Sequence, residues 1–298
     1  MKRMIFELTP QRSIREAFLE ASSFLEGVKV MEARRNAQLL LEHVLDLSGT
    51  AYYMALGEPF PEHRKAAFEE VIGHKAAGVP AQYIIGEQEF YGRPFTVTPA
   101  VLIPRPETEL LVEAVLEHGQ LLAPRPSSHG RLLAADIGAG SGAIAVTLAL
   151  HSPTWQLLAS DISSDALEVA SRNAERLGAD VEFRQGNLLE PLAGLAPDII
   201  VSNPPYIPAE DIEELQPEVR DHEPRLALDG GEDGLRPYRI MMEQLPLLAA
   251  PPRLIAFELG QGQAEDVAAI LRAAGHWAEI VTIQDLQGID RHVLGISR

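Results

Sequence analysis

The sequence predicts an α/β protein: a doubly wound sheet domain, preceded by a small helical bundle and joined to it by a β-hairpin. From Arg131 onward, short apolar runs bounded by turn residues alternate with segments of helical periodicity. The first of those runs, Leu132–Asp136, passes into a glycine-rich turn and then a helix. Residues 10–85, by contrast, carry helical spacing and no strand pattern.

Within residues 10–85, Ile14, Phe18, Phe24 and Leu25 mark one amphipathic helix, and Ala37, Leu40, Leu41 and Val44 a second that ends near Asp46–Gly49. A third, on Phe68, Val71 and Ile72, follows Pro59-Phe60-Pro61. Tyr52 and Tyr53 read as packing residues. Residues 87–98 place β-branched and aromatic residues around Tyr91-Gly92, a hairpin pattern. Pro106 and the acids after it suit the first turn of a helix running to about Glu117. Residues 123–130, rich in Pro and Ser, form a loop. Strands are expected near 131–136, 155–160, 181–185, 198–202 and 253–258, with helices near 142–150, 164–177, 236–248 and 264–274. Two further strands, 279–284 and 291–296, have no helix between them and should close one sheet edge as an antiparallel hairpin. The domains are therefore read as 1–85, a helical bundle; 86–102, a hairpin linker; and 103–298, the α/β domain.

The net charge of −18 is unevenly placed. Residues 1–85 hold ten Lys and Arg against eleven Asp and Glu, whereas residues 86–298 hold fifteen Arg, no Lys and thirty-two acids. Such a surface repels phosphate backbones, so nucleic acid is a poor direct substrate and a basic protein a better partner, unless the acidity serves only solubility. With no cysteine, disulfides, thiolate metal sites and cysteine nucleophiles are excluded, which fits a reducing cytoplasm. No apolar run reaches membrane-spanning length, and Met1–Glu7 lacks the apolar core of a signal peptide. The nine His show no metal-ligand spacing, so no metal is expected.

Two features point to a nucleotide-bearing cofactor. The turn Gly138-Ala139-Gly140-Ser141-Gly142 follows an apolar strand ending in Asp136, and glycines there let a backbone approach a ligand closely. The second strand ends at Asp161, placed to accept hydrogen bonds from a ribose diol. Dinucleotide enzymes and methyltransferases share both features. The run Ile199–Tyr206 separates them. Its apolar strand stops at Asn203-Pro204-Pro205-Tyr206, a corner stiffened by two prolines. Hydride transfer has no use for such a corner. An amide or aromatic amine nitrogen, whose lone pair is delocalised, is a weak nucleophile. The Asn203 side-chain oxygen and the Pro204 carbonyl would hold its two N–H groups and favour the charge that develops on it, and Tyr206 would stack on its plane.

These motifs, with Val101–Glu109, Asp161–Leu167, Glu223–Leu235, Glu258–Gln263 and Asp285–Arg291, resemble the release factor glutamine methyltransferase family (the HemK/PrmC type) along nearly the whole chain. The resemblance implies a Rossmann-like seven-stranded S-adenosyl-L-methionine-dependent methyltransferase domain acting on the glutamine of the Gly-Gly-Gln motif in class-1 peptide chain release factors. Position by position, it implies that Asp136 and Gly138, Ala139, Gly140, Ser141 and Gly142 surround the methionine part of the cofactor and that Asp161 holds the ribose. Asn187 and Leu188 would border the adenine, and Asn203, Pro204, Pro205 and Tyr206 would grip the glutamine. Arg105, Glu107 and Thr108 would sit beside the cofactor mouth. Ala139 stands where the family commonly has Thr, and Asn187 where it often has Asp, a weaker partner for an adenine amine.

Residues 207–233 carry ten acids against Arg220 and Arg225, which reads as an acidic rim orienting a basic partner or as a solvated loop. Other activities considered are glutamine methylation of a ribosomal protein, DNA adenine-N6 methylation, which the acidic catalytic half opposes, and NAD-dependent redox chemistry. A non-catalytic binding protein on a cofactor fold is the reading from a different class.

Overall fold

In a computed structural model, the described residues are 5–125 and 130–297. The leader reading of residues 1–4 and the loop expectation over 126–129 lie outside them. Residues up to Glu87, together with Gln216–His222, form one compact unit; Gln88–Leu215 and the chain from Glu223 onward form the other.

The first unit is built from α1 (Ile14–Gly27), α2 (Ala33–Leu45), α3 (Gly49–Ala55), α4 (Lys65–Ala76) and α5 (Ala81–Ile85). A capping box opens α1: Ser13 Oγ accepts from Glu16 N at 3.3 Å, and Glu16 Oε2 accepts from Ser13 N at 2.8 Å. Such a cap is worth about 1 kcal/mol. Ala17, Ala21, Leu25, Leu40, Leu41, Phe68 and Ile72 meet in its core. The expected helices are all present. Two short ones, α3 and α5, were not expected; α3 has no side-chain cap to announce it. Of the two tyrosines on α3, Tyr52 packs into the core, but Tyr53 is exposed, a correction to its expected packing role. Lys75 is fully buried and pairs with Glu218.

In the second unit, β1 (Glu87–Phe90) and β2 (Arg93–Thr96) form the expected hairpin, whose turn puts Tyr91 and Gly92 at positive φ. Then come α6 (Glu107–Gln120), β3 (Leu133–Ile137), α7 (Ala143–His151), β4 (Gln156–Asp161), α8 (Ser164–Leu177), β5 (Val181–Gln185) and β6 (Ile199–Ser202). The chain continues through α9 (Pro217–Arg220), which belongs to the first unit, then α10 (Arg236–Gln244), β7 (Leu254–Glu258), α11 (Ala264–Ala274), β8 (Glu279–Gln284) and β9 (Asp290–Ile296).

The seven-stranded sheet has the order β5-β4-β3-β6-β7-β9-β8, so the predicted fold class holds. The first five of these strands are parallel, and β9 runs antiparallel to both β7 and β8. The central strands β6 and β7 are buried along their whole length, as apolar strands covered on both faces must be. One face packs Leu111 and Val115 of α6 and Ile144 and Val146 of α7; the other packs Tyr238 and Met241 of α10 and Val267 and Leu271 of α11. After β3 the chain moves outward to β4 and β5, then returns to β6 on the other side of β3. The C-terminal ends of β3 and β6 therefore flank the topological switch point, where such sheets keep their ligands. Among the described residues no helix is long and apolar enough to cross a membrane.

Candidate active site

At the switch point the glycine turn carries the chain from β3 to α7. Gly138 and Gly140 have φ of 78° and 54°, and a Cβ at either would meet no atom within 4 Å, so the turn leaves space open above the sheet. Gly142 serves packing instead: a Cβ there would stand 3.1 Å from Ala170 Cβ on α8. The turn is tied to the end of β4. Gly138 N and Ala139 N donate to Ser160 O at 2.8 and 2.9 Å, and Gly140 N donates to Asp161 Oδ2 at 2.9 Å. Asp161 Oδ1 accepts from Ser163 N at 2.9 Å. Burial raises the Asp161 carboxyl above the usual range, and these backbone donors hold the rise back.

A cavity of about 370 Å³ opens here. Gly138, Ala139, Gly140 and Ser141 line one wall, Asp161 and Ile162 another, and Asn187 and Leu188 a third. Asn203 and Pro205 close it from the end of β6, while Arg105 and Thr108 border it beside Pro224 and Leu226. Leu188 holds φ of 52°, and its carbonyl accepts from Ser160 Oγ at 3.4 Å.

Five of the expected site residues lie outside that lining: Glu107, Asp136, Gly142, Pro204 and Tyr206. Asp136 is fully buried beneath the turn, where its Oδ2 accepts from Ala145 N at 3.1 Å in α7. Its Oδ1 has no partner among the described residues, and burial pushes the carboxyl up to about 7. It supports the turn from below through its contact with α7. Gly142 is engaged with α8. Pro204 is buried, with Pro205 taking the cavity side.

Tyr206 is set back into a socket that single-motif reading missed. Gln263 Nε2 donates to Tyr206 O at 2.9 Å, and a Cβ at Gly234 would stand 2.3 Å from that same carbonyl. Added Cβ atoms at Gly230 and Gly260 would stand 2.8 Å from Tyr206 Cα and 3.2 Å from its Cδ2. The glycines of Asp229–Gly234 and Glu258–Gln263 thus allow the aromatic corner to seat. Burial and the nearby Glu258 raise the Tyr206 hydroxyl above its ordinary value, so it stays protonated.

Asn203 is held from behind. Its Nδ2 donates to Thr108 Oγ1 at 3.2 Å, and the Thr108 hydroxyl donates to Glu258 Oε2 at 2.6 Å. Glu258 was not among the expected site residues. Its signal was a carboxylate ending an otherwise apolar strand. Burial and the neighbouring Glu107 push it up to about 7, against hydrogen bonds from Thr108 and Asn203 and the charge of Arg291.

The acidic segment is partly neutralised within the chain. Glu223 pairs with Arg105 at 2.6 Å, Asp233 with Arg239 at 2.6 Å, and Glu213 with Arg225 at 3.4 Å. Ile207 N donates to Leu228 O at 3.0 Å and Gly230 N to Ile207 O at 2.8 Å, folding the segment back onto the corner. Among the described residues no group of side chains is arranged to hold a metal ion.

Two family models match the chain: the PrmC N-terminal domain over residues 16–86 and the methyltransferase small domain over residues 108–218. The release factor glutamine methyltransferase of Bacillus cereus is 44% identical over 280 residues, covering 93% of this chain and 97% of the relative. That of Bacillus subtilis is 43% identical, covering 96% and 98%, and that of Geobacter sulfurreducens 42%, covering 95% and 96%. Among solved structures, the hMettl16 catalytic domain in complex with MAT2A 3'UTR hairpin 6 matches with a TM-score of 0.55 at 15% identity, covering 77% of this chain and 82% of that one. At such low identity the likeness speaks for the fold alone. Identity above 40% along nearly the full length of both chains speaks for more: this chain belongs to the release factor glutamine methyltransferase family.

Proposed function

We propose that the chain methylates the side-chain amide nitrogen (N5) of the glutamine in the Gly-Gly-Gln motif of class-1 peptide chain release factors, using S-adenosyl-L-methionine. The observation that carries this reading is that Asn203, at the end of β6, lines the same cavity as Gly140 and Asp161. The residues present fit that cofactor. The open turn at Gly138 and Gly140 suits its methionine part, the Asp161 carboxylate its ribose hydroxyls, and Asn187 with Leu188 its adenine. When bound, S-adenosyl-L-methionine supplies a methyl group made electrophilic by the attached sulfonium.

The rest of the work falls to this chain's own groups. Asn203 Oδ1 and the Pro204 carbonyl accept the two N–H groups of the glutamine amide, orient its nitrogen and favour the positive charge that develops there. Tyr206, seated in its glycine socket, keeps the corner from shifting, and Pro205 covers it on the cavity side. We assign docking of the release factor to the helical domain, residues 1–85, with 86–102 as linker and 103–298 as the catalytic domain. On this reading the enzyme works in the cytoplasm and touches neither nucleic acid nor membrane. The test is incubation with isotopically labelled cofactor and a release factor, followed by mass spectrometry of the Gly-Gly-Gln peptide. One methyl group on the glutamine is expected; an unmodified peptide overturns the proposal.

A further inference from the structure

We propose that Thr108 and Glu258 are positioning residues that fix which end of the Asn203 carboxamide faces the substrate, presenting its oxygen and withdrawing its nitrogen. The inference rests on the role proposed above for Asn203. A carboxamide is nearly symmetric in shape, but its two ends are opposite in function. The oxygen accepts hydrogen bonds, and the NH2 only donates them. An Asn203 turned the wrong way would point N–H groups at the N–H groups of the glutamine amide it must hold. Selectivity between the two orientations cannot come from packing, because they occupy almost the same volume.

The hydrogen bonds behind Asn203 supply that selectivity, one running through Thr108 and one made to Glu258 directly. The Thr108 hydroxyl has one proton, and it is committed to Glu258 Oε2 at 2.6 Å. Toward Asn203, at 3.2 Å, the hydroxyl oxygen can therefore only accept, so the group placed there must be Nδ2. A reversed carboxamide would set Oδ1 against the lone pairs of Thr108, in a site where both Thr108 and Glu258 are buried. Burial removes the water that would otherwise soften this preference. The direction of the whole chain is set by its last member, the Glu258 carboxyl, which in its ionised form cannot donate.

The surroundings of Glu258 make that member conditional. Facing it are Glu107, Arg291, the hydroxyls of Tyr206 and Tyr238, and His292 Nε2 at 3.9 Å. Burial holds His292 down to about 4, so it is neutral near pH 7 and offers Glu258 no counter-charge. The hydrogen bonds from Thr108 and Asn203 and the charge of Arg291 favour the ionised form, while burial and Glu107 oppose it, leaving the carboxyl at about 7. A protonated Glu258 would donate toward Thr108, free the Thr108 proton to point at Asn203 and remove the bias on the carboxamide. Transfer should therefore fall as pH drops through about 7, both through Thr108 and through the hydrogen bond that Asn203 makes to Glu258 directly.

The test compares Thr108→Val, which keeps the shape and removes the hydroxyl, with Thr108→Ser, which keeps the hydroxyl. It uses the full-length chain with saturating cofactor and release factor. Expected for Thr108→Val is a kcat roughly 10- to 100-fold lower and a cofactor Kd within about threefold of wild type by calorimetry. Thr108→Ser should recover most of the rate. Because Asn203 also hydrogen-bonds Glu258 directly, the acid limb of the kcat–pH profile should disappear in Glu258→Gln. A Thr108→Val enzyme with wild-type kcat, a Thr108→Ser enzyme as slow as the valine variant, or a wild-type acid limb that survives in Glu258→Gln overturns the positioning role while leaving the methyltransferase reading standing. A wild-type enzyme that transfers no methyl group to a release factor overturns both.

Discussion

The carboxylate of Asp161 spans two backbone donors, accepting from Gly140 N through Oδ2 and from Ser163 N through Oδ1, each at 2.9 Å. The residue expected to hold the ribose therefore also fastens the glycine turn to the end of β4. Both oxygens act as acceptors, so an amide cannot replace the carboxylate without opposing one N–H to another. Asp161→Asn is expected to weaken cofactor binding nearly as much as Asp161→Ala, by roughly 10- to 100-fold. Calorimetric titration with S-adenosyl-L-methionine checks it; an asparagine variant with wild-type affinity would show that the two backbone contacts are dispensable.

Asn203 touches the cavity but has no part in fastening the turn. Replacing it with alanine should lower kcat by about 10²- to 10³-fold, the range seen when one preorganised dipole is removed. Cofactor affinity should stay within about threefold. Loss of both would move Asn203 to the cofactor wall.

Asp136 makes a prediction about stability and pH. Its folded carboxyl lies at about 7, well above its ordinary 3.8, so the fold prefers it protonated. The stability from that preference is fully present below the ordinary value and is lost as pH rises through about 7. Asp136→Asn keeps an acceptor for Ala145 N and does not titrate. Its stability relative to wild type should shift in the variant's favour by about 2–4 kcal/mol between pH 5 and pH 8, measured by denaturant unfolding. A constant difference across that range would mean the buried carboxyl titrates normally.

Gly119 sits inside α6, where alanine would ordinarily help a helix by about 1 kcal/mol. A Cβ there would stand 2.4 Å from Trp155 Cη2 and 2.9 Å from Ile199 Cδ1, both in the core. Gly119→Ala should therefore destabilise the chain by about 1–3 kcal/mol. A rise in the unfolding midpoint would show that the ring gives way.

The acids of residues 207–233 that keep no internal partner offer a field to a basic protein. If they steer it, kcat/KM for the release factor should fall by roughly threefold or more as salt rises from about 50 to 300 mM, while cofactor affinity hardly changes. A salt-independent kcat/KM would leave the segment a structural one.

The sheet was legible because each of its strands is a short apolar or alternating run closed by turn residues, and the glycine turn and Asn203 corner mark two of their ends. The short helices were not. Gly49–Ala55 has no capping side chain, and Pro217–Arg220 lies in a run of acids that reads as loop. At the site, residues that meet a ligand could be placed from local motifs. The pairing that holds Asn203 could not: Thr108 was expected only beside the cofactor mouth, and it stands 150 positions from Glu258, brought to it by the packing of α6 on β7. The retreat of Tyr206 was hidden for the same reason: its socket is made by glycines from two later segments.

The first unit takes Gln216–His222 from the middle of the catalytic sequence, and the buried Lys75 finds its counter-charge on that borrowed piece. An amino-terminal fragment cut after Glu87 would be left with a buried ammonium group and no carboxylate to answer it. The remaining fragment would carry residues 216–222 without the rest of their unit. The first unit is thus assembled from two separate stretches of the chain. The helical unit cannot be swapped between proteins as a cassette unless residues 216–222 travel with it.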